Sequence, residues 1–320
     1  MRKYIYSIIS ICIFALMMSS SNKQIRIFMI GDSTMANKDM KKAPEERGWG
    51  MVLPGFFTSN VVIDNHAVNG RSSRSFIDEG RWQKVYDQLR PGDYLVIQFG
   101  HNDEKKDSLR HTEPGKDFDE NYRTFIRGAQ EKGATPIVMN CVARRNFFNA
   151  KTKQDIDDEA LRSVNRDKYT IQEKINSDTL VDTHGEYRFV PARVAKEMGV
   201  AYVDANKISV DLENSRGVQG SRELHMIKYN GKDNTHYNVE GAHIIAGLLV
   251  DKMAEVCPQL KKYVRHYDYI VSDKGRGNYM TLQAAVDAVP EGSKATILIL
   301  DGSWPKPQIA KGKKIKLIKY

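Results

Sequence analysis

Four short stretches carry residue types that together could perform acyl transfer. Asp233-Asn234-Thr235-His236 places a carboxylate three residues before an imidazole. A helical-type turn brings such a pair into contact. The carboxylate would then hold one ring nitrogen and leave the other to face a hydroxyl. Gly31-Asp32-Ser33-Thr34 offers that hydroxyl on Ser33. Gly70, in Asn69-Gly70-Arg71-Ser72-Ser73-Arg74, offers a backbone N–H, and Asn102, in Gly100-His101-Asn102-Asp103, offers a side-chain amide. Donors of these two kinds stabilise the oxyanion that forms when a nucleophile attacks a carbonyl. Each stretch also has a plainer reading. Gly-Asp-Ser is a common turn, Gly70 serves a positive φ, and Asn102 serves as a cap.

The elements around these stretches would bring them together. Ile25-Arg26-Ile27-Phe28-Met29-Ile30 is a mostly apolar run ending at the Ser33 turn. Further strands are read at 61–63, 94–99, 135–141 and 200–203, and helices at 82–89, 118–132, 186–198 and 239–256. Strand and helix in alternation predict an α/β fold, a parallel sheet covered on both faces. Such sheets bind ligands outside the carboxyl ends of their strands. Ser33, Gly70, Asn102 and the pair Arg144-Arg145 all fall just after predicted strands. Residues 149–180 interrupt the rhythm with a charged stretch poor in large apolar residues, read as a surface insertion or a lid.

The bulk properties bound the class. At 320 residues, 41% hydrophobic and 28% charged, the chain has the composition of an ordinary globular protein. Its net charge of +9 is unevenly placed: residues 261–320 hold twelve Lys and Arg against five Asp and Glu. Arg2 and Lys3 supply all of what remains, so the main body is neutral and no nucleic-acid partner is called for. Residues 1–21 read as a cleavable signal peptide, with a basic start, an apolar run from Tyr4 to Met18 and small residues at Ser19-Ser20-Ser21. An uncleaved anchor is the competing reading. Cleavage would make the protein secreted or periplasmic, with no stable membrane insertion. Of the cysteines, only Cys141 and Cys257 lie beyond this leader, too few for a disulfide framework and without metal-ligand spacing.

Taken in chain order, Gly31-Asp32-Ser33, Gly70, Asn102 and Asp233-x-x-His236 resemble the four blocks of the SGNH, or GDSL, hydrolases. More closely, GDST, NGRSSRSF, QFGHND and DxxH resemble the rhamnogalacturonan acetylesterase branch. The resemblance implies a flavodoxin-like, doubly wound parallel sheet. It also implies Ser33 as nucleophile, His236 as general base and Asp233 as the residue orienting it. The oxyanion hole would comprise the Ser33 N–H, the Gly70 N–H and the Asn102 amide. No cofactor and no metal are expected. Arg74 and His184 are candidate substrate contacts, Arg74 through a bidentate pair with a galacturonate carboxylate.

The end of the chain resembles a second family. Asp268-Tyr269-Ile270-Val271, followed by Gly275-Arg276-Gly277-Asn278-Tyr279 and Leu282-Gln283-Ala284-Ala285-Val286-Asp287-Ala288-Val289-Pro290, is similar to the opening of the pectin methylesterases, which are parallel β-helices. The expected organisation is a signal peptide at 1–21, a hydrolase domain at 22–262 and a truncated β-helix fragment at 263–320. The run 296–300 would then be an exposed edge or would pack on the main domain. The leading function is a carbohydrate O-acetylesterase acting on pectin, most readily on rhamnogalacturonan. Its alternatives are an esterase for acetyl-xylan or a lipid ester, and a non-catalytic pectin-binding protein.

Overall fold

The computed structural model describes residues 24–152 and 173–320. The expected signal peptide and residues 153–172 of the charged stretch lie outside the described residues.

Five strands form the central sheet: β1 (Ile25–Gly31), β2 (Val61–Asn65), β3 (Tyr94–Gln98), β4 (Thr135–Met139) and β5 (Ala201–Val203). All neighbours are parallel and the order is β2-β1-β3-β4-β5. This is the flavodoxin-like order, in which the connections reverse direction beside β1. The register pairs Ile27 with Ile63 on one side and Tyr94 on the other.

Strand periodicity divides the core into two layers. Ile27, Met29, Val96, Ile137 and Met139 face one side. There they pack on α1 (Trp49–Val52) and on Ile245, Leu249 and Met253 of α8 (Val239–Val256). Phe28, Ile30, Leu95, Ile97 and Val138 face the other side. They meet α3 (Arg81–Tyr86), Phe118, Phe125 and Ile126 of α4 (Asp117–Glu131), and Val190 and Val194 of α5 (Val190–Glu197). Because both faces are covered, the strands read as near-continuous apolar runs.

Several helices lie outside the sequence expectation, α1 among them. The short α2 (Ser73–Asp78) begins with a reciprocal Ser72–Ser75 capping box. α6 (Ala205–Arg222) carries Gly217 in a non-helical conformation, and Ser, Asn and Gly dilute any apolar stripe. Its start is held by Asp204, whose side chain accepts the Lys207 N–H. α7 (Ile227–Asn230) is a single turn before the Asp233 loop.

The C-terminal region forms its own small parallel sheet, ordered β6 (Tyr269–Val271), β7 (Lys294–Ile299), β8 (Lys314–Lys319). Against it lies α9 (Leu282–Ala288), closing a core of Val271, Leu282, Ala285, Val286 and Ile297. Of the two alternatives for 296–300, the exposed edge is excluded. β7 is the central strand, flanked on both sides, and Ile297 and Leu298 are fully buried. The edges are β6 and β8, and on β8 Lys314, Lys316 and Lys319 disfavour the addition of another strand.

This sheet packs on the hydrolase body. The Thr58 N–H donates to the Tyr263 carbonyl at 2.8 Å and the Arg265 N–H to the Phe56 carbonyl at 2.8 Å. A Cβ added at Gly55 would lie 2.8 Å from the tip of the Ile270 side chain, so a larger residue there would push that side chain aside.

Candidate active site

The serine turn is built by close packing and by one buried carboxylate. A Cβ on Gly31 would come within 2.7 Å of the Gln98 carbonyl, so only glycine lets β1 run this near β3. Asp32 is fully buried, and its Oδ1 accepts from the Thr34 N–H and hydroxyl, both at 2.8 Å. Burial raises the Asp32 carboxyl, against the pull of Thr34, His236 and Lys38. The Gln98 amide donates to Thr34 Oγ1 at 2.9 Å and accepts from the Trp49 indole at 2.7 Å. Ser33 therefore sits on a turn pinned to β3 and α1.

The histidine arrives from the loop before α8. Asp233 Oδ1 accepts the backbone N–H groups of Thr235 and His236 at 3.0 and 3.1 Å. The other oxygen, Oδ2, lies 2.8 Å from His236 Nδ1. A carboxylate can only accept, so Nδ1 carries the proton and the Nε2 lone pair faces outward. His236 Nε2 lies 2.8 Å from Ser33 Oγ. One aspartate thus shapes the loop and orients the ring together. Arg145 braces the same loop: its N–H donates to the Asn234 carbonyl at 2.9 Å and its guanidinium to Asn234 Oδ1 at 3.0 Å.

The two other expected donors lie at the same end of the sheet. Gly70 has φ 76°, in the left-handed region that favours glycine. Asn102 is buried and donates one amide N–H to the Arg71 carbonyl at 3.1 Å. That bond sets which way the amide points and leaves its second N–H for a ligand. Asp103 joins the two loops. It accepts from the Ser73 N–H (2.9 Å), the Ser73 hydroxyl (2.5 Å), the Thr112 hydroxyl (3.1 Å) and the Gly100 N–H (3.1 Å). Burial pushes its carboxyl up to about 7, against these bonds.

The two substrate-contact candidates are placed differently from the expectation. His184 is buried, with one ring nitrogen 2.9 Å from Glu104 and the other 3.1 Å from the Val142 carbonyl. Both nitrogens are used inside the protein, so the ring is not offered to a polysaccharide; the expectation is corrected to a structural role. Glu104 also pairs with Arg144. Burial opposes the Glu104 charge, but Arg144 and His184 outweigh it and hold the carboxyl at about 2. Arg74 is partly exposed and paired with Asp117, with a longer contact of 3.4 Å to the Ser108 carbonyl. Its guanidinium is engaged, though at the surface. Sequence reasoning overlooked Lys38 and Glu46, whose isolated charges carry no motif, and left Asp103 unassigned although it sits in the same stretch as Asn102.

A parallel α/β sheet with a serine, a histidine and a carboxylate in one hydrogen-bonded series has the geometry of a serine-dependent hydrolase. The comparisons with known proteins give the family. The profile of the GDSL-like lipase/acylhydrolase family matches residues 29–244. Rhamnogalacturonan acetylesterase RhgT of Bacillus subtilis is 33% identical over 263 residues, covering 79% of this chain and 97% of that protein. A rhamnogalacturonan acetylesterase of Emericella nidulans is 30% identical, covering 74% of this chain and 88% of that one. The X-ray structure of YxiM from Bacillus subtilis superposes with a TM-score of 0.53 at 26% identity, over 72% of this chain and 56% of that chain. This chain thus spans little more than half of YxiM. The chain belongs to the GDSL-like lipase/acylhydrolase family and is a carboxylic ester hydrolase.

Proposed function

We propose that the protein is a carbohydrate O-acetylesterase acting on pectin, with acetylated rhamnogalacturonan as its substrate. The observation that carries the chemistry is the series Asp233–His236–Ser33, with both contacts at 2.8 Å. The substrate rests on similarity to relatives named rhamnogalacturonan acetylesterase, spanning nearly the whole of RhgT.

On this reading Ser33 Oγ attacks the acetyl carbonyl carbon while His236 Nε2 takes its proton. The carbonyl oxygen becomes an oxyanion, received by the Ser33 N–H, the Gly70 N–H and the second N–H of Asn102. The tetrahedral intermediate collapses with cleavage of the bond to the sugar oxygen, and His236 returns the proton to that oxygen. Water then attacks the acetyl-Ser33 ester with His236 as base, releasing acetate and restoring the serine. Asp233 keeps the ring in one tautomer throughout and stabilises the imidazolium formed in each half-reaction.

Two further readings belong to this proposal. Residues 1–21 direct export, which would bring the enzyme to an extracellular polymer. The region 263–320 is a pectin methylesterase-like fragment, consistent with a shared pectic substrate, and 22–262 is the hydrolase unit. Acetate release from acetylated rhamnogalacturonan, acetyl-xylan and a short-chain lipid ester tests the substrate directly. A several-fold preference in kcat/KM for the pectic substrate is expected. Equal or greater rates on xylan would reject that assignment, and inactivity on all acetyl esters would favour a binding protein.

A further inference from the structure

A single buried ammonium connects three parts of the site. The Lys38 side chain is only 2% exposed. Its Nζ donates to the Ser33 carbonyl at 2.5 Å and to Asn69 Oδ1 at 3.1 Å. It also pairs with Glu46 Oε1 at 2.6 Å. An ammonium has three N–H donors, and these three acceptors can use them all. The first acceptor belongs to the nucleophile and the second to the residue before Gly70. The third leads to the histidine. Glu46 forms an antiparallel bridge with Asn238, and the Arg47 N–H donates to the Tyr237 carbonyl at 3.0 Å. The segment carrying Glu46 is therefore laced to the residues directly after His236.

We infer that Lys38 is a positioning residue that holds the Ser33 turn, the Asn69–Gly70 loop and the His236 segment in one register; this rests on the assignment of Ser33 as nucleophile. Ser33, Gly70 and His236 come from three separate loops, after β1, after β2 and before α8. No strand register connects the last of these to the other two. The Lys38 contacts supply that connection at the point where donors must meet an oxyanion. Removal of a buried cation would leave Glu46 and two carbonyl-type acceptors without their donor, so the loops would shift relative to one another.

The test compares Lys38→Met, Glu46→Gln and Ser33→Ala in the full chain, each checked for folding by circular dichroism and thermal melting. The probes are p-nitrophenyl acetate and a boronic acid that forms a tetrahedral serine adduct. For Lys38→Met the expected result is a fall in kcat of about a hundredfold, as for small misplacements of reacting groups. KM should stay within about threefold, and boronate affinity should fall with kcat, since it too needs the assembled oxyanion donors. Glu46→Gln, which keeps its shape but loses its charge, should lower kcat about tenfold, in proportion to a weakened charge-assisted bond. It decides the matter alone if Lys38→Met does not fold. A folded variant with wild-type kcat, or one that changes only melting temperature or KM, overturns the inference. Ser33→Ala separates the two assignments: if it is inactive while Lys38→Met is fully active, only the role of Lys38 falls. If Ser33→Ala retains turnover, both fall.

Discussion

Arg47 donates its Nε hydrogen to the Gly275 carbonyl at 2.7 Å, across 228 positions of sequence, and thereby ties the C-terminal sheet to the segment beside His236. The same guanidinium donates to the carbonyls of Pro44 and Glu46 at 2.7 and 2.8 Å. The site residues all precede the C-terminal sheet, yet this contact and the Ile270–Gly55 packing make that sheet part of the fold's support. A chain ending at Lys262 should melt below the full chain while keeping its Ser33–His236 contact. Arg47→Ala in the full chain should cost roughly 2 kcal/mol, the range for hydrogen bonds to a charged group. Urea unfolding of both variants measures this. Unchanged midpoints would show the C-terminal sheet to be a passive neighbour.

Ser33→Ala and His236→Ala should each abolish ester turnover without loss of fold. Asp233→Asn should retain the loop, because one side-chain oxygen can still accept from Thr235 and His236. It should nevertheless lose activity by about ten-thousandfold, since the ring is no longer held in the required tautomer. Initial rates on an aryl acetate, with melting curves alongside, provide the check. A folded variant at wild-type rate would remove the corresponding residue from the mechanism.

Asn102→Ala should lower kcat by about a hundredfold or more with little change in KM. Among the described residues the side chain donates one hydrogen bond, to the Arg71 carbonyl, so stability should fall far less than activity. If KM rises while kcat holds, Asn102 binds the ground state instead of the oxyanion.

Three buried groups should make opposing contributions to stability as the medium is acidified. Burial lowers His243 from 6.5 to about 4, so between these values the unfolded chain takes up a proton that the folded chain refuses. Its contribution is complete above pH 6.5 and disappears as pH falls to 4, worth on the order of 3 kcal/mol. Glu104, held at about 2 against an ordinary 4.5, gives a second loss from pH 4.5 down to 2. Asp103, raised from 3.8 to about 7, works the other way and adds stability as pH falls from 7 to 3.8, so the His243 contribution is read as the difference in unfolding free energy between the parent and His243→Gln across pH 7 to 4. Parallel profiles for the two proteins would contradict the neutral buried imidazole.

The amino-acid sequence determined the alternation of strands and helices, because strands buried on both faces must be continuous apolar runs and helices must show a periodic face. It also marked Ser33, Gly70, Asn102, Asp233 and His236, because local turn chemistry confines those residue types to strand ends and loops. α6 escaped detection because its glycines and serines weaken any apolar stripe, and its stability comes from the Asp204 cap and from packing that no local window contains. His184 and Arg74 were read as substrate contacts. Only the tertiary structure showed that Glu104 and the Val142 carbonyl take the first inward and that Asp117 engages the second. For the run 296–300 the sequence left open an exposed edge or packing on the main domain, because sequence does not reveal pairing, and β6 and β8 flank it on both sides. Lys38 and Glu46 belong to the same class. Charge alone predicts exposure, whereas here a buried ammonium is satisfied by three acceptors, two of them contributed by loops that only folding brings together.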